Sequence, residues 1–237
     1  MEIANLWRSP IWYDVLDQIA ELVPQSRGVE MENRCCKAAA FVAVLVLTAC
    51  SEAPKPQPKT EAETKPAIPS EPVTAKTAYW DMHKLAYSWR PDILLLSLAS
   101  KAVPGIKNDA GKAAMWTAVF ASPGRHEART FTYSIVERLP DIRKGVDVAR
   151  PVPWAGPSHE AMPFRTSDFA TDSDAAYNTA LTLAGPWLKK HPDKEVSLTL
   201  GHAARFPAPV WYVLWGDNKS GFYALINATT GHTIKGK

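Results

Sequence analysis

Past Cys50 the chain contains no cysteine; its three thiols, Cys35, Cys36 and Cys50, all fall in the first fifth of 237 residues. A folded body downstream therefore stands without disulfides, a cysteine nucleophile or a thiolate metal ligand. His83, His126, His159, His191, His202 and His232 include no two-histidine helical pair, and Glu160 after His159 lacks the second histidine of a zinc helix. No metal is expected. A glycine-rich phosphate loop and a Gly-x-Ser-x-Gly elbow are also missing; Gly124, Gly216 and Gly221 read as turn residues. With no catalytic motif and no cofactor motif, a non-catalytic chain is expected, since an enzyme here would need polar groups gathered from separate loops. The net charge of +3 is spread without a basic stripe, which excludes nucleic acid as the expected partner. The apolar run before Cys50 falls short of the roughly 20 residues that a bilayer-spanning helix needs.

What is present begins with that run. "KAAAFVAVLVLTA", Lys37 to Ala49, has a cationic flank in Arg34 and Lys37, a short apolar core and small residues at its end, the layout of a secretory signal. The last four residues, Leu47, Thr48, Ala49 and Cys50, resemble the lipobox of bacterial lipoproteins. That resemblance implies that Cys50 is the lipid attachment point, that residues 31–49 are a signal peptide, and that the mature chain is held at a membrane. Several acyl chains on one residue make a durable anchor where a single chain does not. Ser51, rather than Asp, follows the cysteine; in a Gram-negative envelope this implies the outer membrane, on the periplasmic side. Residues 1–30 precede the signal and are expected to be a wrongly extended start, with translation beginning at Met31. After Cys50, Ser51 to Lys76 contain six Pro, four Lys and four Glu. Such a segment stays extended and reads as a linker over 50–76, reaching at most roughly 80 Å at about 3.1 Å per residue.

The remainder is written twice. Ala78, Met82, Leu85, Ala86 and Trp89 form an apolar helix face, and Ala176, Ala180, Leu183, Ala184 and Trp187 repeat it. Each helix meets a Pro-Asp stop, at Pro91 and Asp92 and at Pro192 and Asp193. Asp172 and Asp174 stand where the second helix begins and are read as capping and dipole residues. Period-two runs follow, Leu94, Leu96 and Leu98 against Val196, Leu198 and Leu200. "MWTAVF" from Met115 then matches "VWYVLW" from Val210, and "FTYSIVE" from Phe131 matches "FYALINA" from Phe222. The expectation is an α+β fold of two copies, each a helix packed on an antiparallel three-stranded unit, over 77–138 and 172–237, joined by a connection over 139–171.

The last unit, "PAPVWYVLWGDNKSGFYALINATTGHTI", resembles the C-terminal hairpin of PepSY-type domains over about thirty residues, within a broader cystatin-like helix-on-sheet class. The resemblance implies a non-catalytic envelope module that binds peptide or protein. Trp89, Trp116, Trp187 and Trp211 recur at matching places and are read as core. Tyr212 and Trp215 are candidates for an outward-facing surface that docks a peptide by strand addition. Trp154, Phe164 and Arg165 lie in a long proline-rich connection that is expected to be ordered against the sheet and to strap the copies together, with ligand contact as its alternative role. The function expected is an envelope lipoprotein that binds a peptide, protein or wall component. The alternatives are an assembly factor of an envelope complex, or an enzyme with a site the sequence does not reveal.

Overall fold

A computed structural model describes residues 71–138 and 140–236. Cys50, the signal peptide and most of the linker lie outside the described residues. Within them the fold is α+β: two helices, α1 (Ala75–Trp89) and α2 (Ser173–Leu188), and nine strands in one antiparallel sheet. The strands are β1 (Leu94–Lys101), β2 (Met115–Ser122), β3 (Glu127–Ser134), β4 (Gly145–Val148), β5 (Val152–Pro153), β6 (Val196–Gly201), β7 (Val210–Trp215), β8 (Phe222–Asn227) and β9 (Thr233–Gly236). Their order is β4-β3-β2-β1-β6-β7-β8-β9, with β5 on the edge of β3.

That order is a palindrome. β1 and β6 pair antiparallel at the centre, Ala99 opposite Thr199, so the two halves are related by a pseudo-twofold axis near that pair. The expected three-stranded units need correction: each half contributes a fourth main strand, β4 or β9, and β5 adds a ninth beside β3. The two halves share one continuous sheet.

Both helices lie on the same face. α1 buries Ala75, Ala78, Tyr79, Met82 and Ala86, and α2 buries Ser173, Ala176, Ala180 and Ala184. Alanine dominates these stripes, which lets the helices approach the sheet closely. Leu85 and Leu183, expected on the apolar faces, stay exposed. At the end of α1, Arg90 is pushed to an extended φ of −151° by Pro91, as residues before proline are.

The core beneath the helices takes Trp116, Phe120, Phe131 and Tyr133 from one half and Leu198, Leu200, Trp211, Val213 and Trp215 from the other. Two hydrogen bonds repeat across the axis. The Trp116 indole N–H donates to the carbonyl of Val73 at 3.0 Å, and that of Trp211 to the carbonyl of Thr171 at 2.9 Å, each acceptor standing two residues before its helix. Each tryptophan thus fixes where its helix starts.

In β1 the expected face of Leu94, Leu96 and Leu98 fails. A bulge between Leu95 and Ser97 resets the alternation, so Leu95 and Leu98 face the helices while Leu96 joins Trp154, Ala121 and Ala128 on the opposite face. β7 is buried along its whole length, alternating between the main core and a second cluster of Val210, Tyr212, Leu214 and Leu225.

The helix N-termini meet at one carboxylate. Asp172 Oδ1 accepts from Ser173 N–H at 2.7 Å, capping α2, and from Lys76 N–H at 2.9 Å in the first turn of α1, while Ser173 Oγ accepts from Ala75 N–H at 2.8 Å. Two positive dipole ends share a negative group there. Against the same junction packs a tight turn, Asp109 to Lys112, in which Ala110 and Gly111 both have positive φ.

Candidate functional site

The connection between the halves decides where a site can form. It is not irregular throughout, since β4 and β5 pair with β3. It then crosses between the halves. Phe164 N–H and carbonyl exchange hydrogen bonds with Leu95 at 2.9 and 3.0 Å, Met162 N–H donates to the carbonyl of His202 at 2.8 Å, and Ala204 N–H donates to that of His159 at 2.8 Å. Further on, Phe169 sits edge-on to Tyr79 of α1 and to Trp211 of β7. The segment is a strap, and it is ordered by backbone pairing as well as by its aromatic rings.

Where the strap passes α1 it leaves a cleft of about 280 Å³. Phe120, Phe164, Leu95, Ile93 and Leu94 supply apolar lining, Tyr79 and His83 come from α1, and Arg165, Thr166 and Ser167 come from the strap. The Tyr79 hydroxyl hydrogen-bonds Thr166 Oγ1 and ties helix to strap. Burial raises the Tyr79 pKa against the opposing pull of that bond, and burial lowers the His83 pKa below the usual histidine range. Both groups are therefore neutral at pH 7. Arg165 lines the cleft while its side chain remains exposed, and among the described residues no carboxylate forms an ion pair with it. Asp168 is close in sequence, but its Oδ2 accepts from Arg165 backbone N–H at 2.8 Å and its Oδ1 from Ser167 Oγ at 3.1 Å.

Beside His83, α1 carries two exposed rings that do not themselves line the cleft. Trp80 and Tyr87 are 49% and 56% exposed, and His83 lies between them with ring centroids 5.5 and 6.3 Å away. Comparison across the pseudo-twofold axis shows that the fold does not require this. Tyr79 corresponds to Tyr177, and each packs on the equivalent sheet ring, Phe120 at 5.9 Å and Trp215 at 5.6 Å. Beyond that shared pair the copies diverge: His83 corresponds to Leu181, Trp80 to Asn178 and Tyr87 to Gly185. One helix exposes aromatic rings at Trp80 and Tyr87 where its counterpart has Asn178 and Gly185, and His83 stands where Leu181 packs against the core.

No protein-family model matches the chain. No curated protein matches it either. Among solved structures, the chain is similar to a crystal structure described as a "putative lipoprotein" from Clostridium difficile 630, at 10% identity and a TM-score of 0.40, over 67% of this chain and 91% of that one. At that distance the likeness assigns neither fold nor function.

The sequence-expected residues disperse. Phe164 and Arg165 converge on the cleft. Trp154 is on the opposite face of the sheet, 7% exposed, its backbone N–H donating to the carbonyl of His126 at 2.8 Å. Tyr212 and Trp215 do not face outward: they are 4% and 2% exposed, Tyr212 against Tyr223 and Trp215 in the main core against Tyr177 and Phe222. β7 is an interior strand of the sheet, with β6 and β8 occupying both its edges, so strand addition at these two residues has no free edge to use. Tyr79, Trp80, His83, Tyr87 and Phe120 were not among the expected site residues. A residue-by-residue comparison of the two copies carries the signal, since exposed aromatics in one helix face Asn and Gly in the other.

Among the described residues no group of three His, Cys, Asp or Glu is placed to hold a metal, and no helix is long and apolar enough to cross a membrane. The cleft is small, with the polar groups of Tyr79, His83, Thr166 and Ser167 and one cation, Arg165, over a floor of buried apolar side chains.

Proposed function

We propose that the chain is a lipid-anchored envelope protein whose duplicated domain binds a partner polypeptide, without catalysis, in the cleft between α1 and the strap. The observation that supports this most is the asymmetry between otherwise matching halves. Trp80 and Tyr87 expose large apolar rings beside a cleft, at positions where the second copy has Asn178 and Gly185. Exposed aromatics next to a concave surface favour binding. The lipobox-like Leu47 to Cys50 and the proline-rich linker support a tethered location, with Cys50 as the lipidated residue and the outer membrane, periplasmic side, as the place in a Gram-negative envelope. The PepSY-like character of the last thirty residues is in keeping with a peptide- or protein-binding module.

A photocrosslinking amino acid in place of Trp80, in the full chain in its native membrane, is expected to yield a discrete adduct with a second polypeptide. The same group in place of Asn178, the symmetry-related exposed position, is expected to yield none. Equal adducts at both positions, or none at either, would count against the cleft.

A further inference from the structure

The cleft also indicates which kind of residue it receives. Its volume of about 280 Å³ lies just below the roughly 300–1,000 Å³ typical of small-molecule sites, room for one side chain. Its floor is closed, because Leu95, Phe120 and Phe164 are buried in the main core, so a ligand meets the polar groups above them. Those groups hold a surplus of donors. Tyr79 and Thr166 share one hydrogen bond between two hydroxyls, and whichever of them donates, the proton of the other has no acceptor among the described residues. The His83 ring lies among the rings of Tyr79, Trp80, Tyr87 and Phe120, and its N–H likewise has no acceptor among the described residues. Arg165 adds a guanidinium without an ion-paired carboxylate among the described residues, and no Asp or Glu lines the cleft.

The second half shows what the same tyrosine meets elsewhere in this fold. Tyr177, the counterpart of Tyr79, donates its hydroxyl to the carboxylate of Asp109 at 3.3 Å. Around Tyr79 the chain supplies a cation and donors but no carboxylate. Resting on the reading that this cleft binds a polypeptide, we propose that it takes an acidic side chain of the partner, Asp or Glu, with the carboxylate on the Arg165 guanidinium, in the cleft that the Tyr79, Thr166 and His83 donors share. An ionised carboxylate brings acceptors alone, which a donor surplus calls for, and guanidinium forks match carboxylates in a bidentate way. A lysine would meet Arg165 with like charge, and an apolar side chain would cover the donors without pairing them. The anion nearest in the chain, Asp168, does not compete, since it accepts from Arg165 backbone N–H and from Ser167 Oγ. Those bonds and the Phe164 pairing with Leu95 hold the strap in place before a ligand arrives, which lowers the ordering cost of binding. Trp80 and Tyr87 then offer planar faces to the residues beside the acidic one.

The test uses the full acylated chain in detergent and fluorescein-labelled, C-terminally amidated nonapeptides that differ only in a central Glu or Gln between two leucines, read by anisotropy. The Glu peptide is expected to bind about 10-fold more tightly than the Gln peptide, the low end for a charge-assisted bond because Arg165 is exposed. Arg165→Ala should abolish that preference while leaving the Gln-peptide affinity and the thermal midpoint unchanged. Equal affinity of the two peptides would overturn the acidic-residue inference and leave a binding cleft standing. So would a Glu preference that survives Arg165→Ala. Glutarate displacing the labelled Glu peptide as effectively as the unlabelled peptide does would overturn the polypeptide part and point to a small carboxylic acid. No binding of either peptide would overturn the inference, and the absence of the Trp80 adduct as well would remove the functional reading beneath it.

Discussion

Gly111→Ala is expected to destabilise the domain by about 2–6 kcal/mol, the sum of a non-glycine residue held at left-handed φ and of backbone overlap. Gly111 has φ +75°, and a Cβ built there would stand 2.4 Å from Asp174 Cα and 2.5 Å from the Ser173 carbonyl oxygen. Those are main-chain atoms in the first turn of α2, so no side-chain rotation relieves the overlap. The turn must retreat, and with it the junction at which Asp172 caps one helix and bonds the first turn of the other. The Tyr177 hydroxyl, which donates to Asp109 Oδ1 at 3.3 Å, is drawn into the same displacement. Urea denaturation of parent and variant measures the difference as a shifted midpoint at unchanged slope. A midpoint equal to that of the parent would mean that the turn does not press on α2. Ala110→Gly at the neighbouring position, where φ is +48°, serves as control and should be neutral or mildly stabilising, because glycine adopts this conformation without steric penalty.

The second large effect is Trp211→Ala, expected to cost about 3–5 kcal/mol through cavity formation alone. Trp211 is fully buried, packs edge-on to Phe169 of the strap and donates its indole N–H to Thr171. Truncation leaves that carbonyl without its donor, adding about 1–3 kcal/mol if water does not enter. For a body of this size each kcal/mol lowers the midpoint by about 2–4 °C, so calorimetry should register a drop of well over 6 °C. Trp116→Ala should behave alike, because its bond to Val73 is the symmetry mate. Trp211→Phe separates the contributions: it keeps most of the apolar ring and removes the hydrogen bond, and should fall between parent and alanine variant. A small, equal effect from Trp211→Phe and Trp211→Ala would show that neither packing nor the bond sets the start of the helix.

Much of this architecture is legible in the residues, for identifiable reasons. The alanine stripes of the helices, Ala78, Met82 and Ala86 and then Ala176, Ala180 and Ala184, are spaced by helical period alone, so they appear before any tertiary information. The paired tryptophans stand at matching register in matching strands. Asp172 caps α2 as its position suggests. Where the reading fails, a non-local fact intervenes. Leu94, Leu96 and Leu98 look like one face until the bulge inserts a residue, and a bulge is set by the partner strand. Tyr212 and Trp215 suggest a surface when β7 is imagined as a strand with one face in water, whereas it is covered on both faces. β4 and β9 are short, with two apolar side chains in the first and one in the second, so nothing in their own composition marks them. The cleft was half visible. Phe164 and Arg165 are conspicuous in a long connection, but Trp80, His83 and Tyr87 fall off the buried stripe of α1 and enter only when that helix is set beside α2.

The functional account depends most on covalent tethering at Cys50, because a domain held outside the cytosol by its lipid meets different partners from one that is free inside. Intact-mass and peptide mass spectrometry of the chain extracted from membranes measures it directly. The predicted result is an N-terminal peptide that begins at Cys50 and carries two or three acyl chains, lost to the aqueous fraction in Cys50→Ala. Recovery of a chain in which Ala49 is still joined to an unmodified Cys50, located in the cytosol, would contradict it.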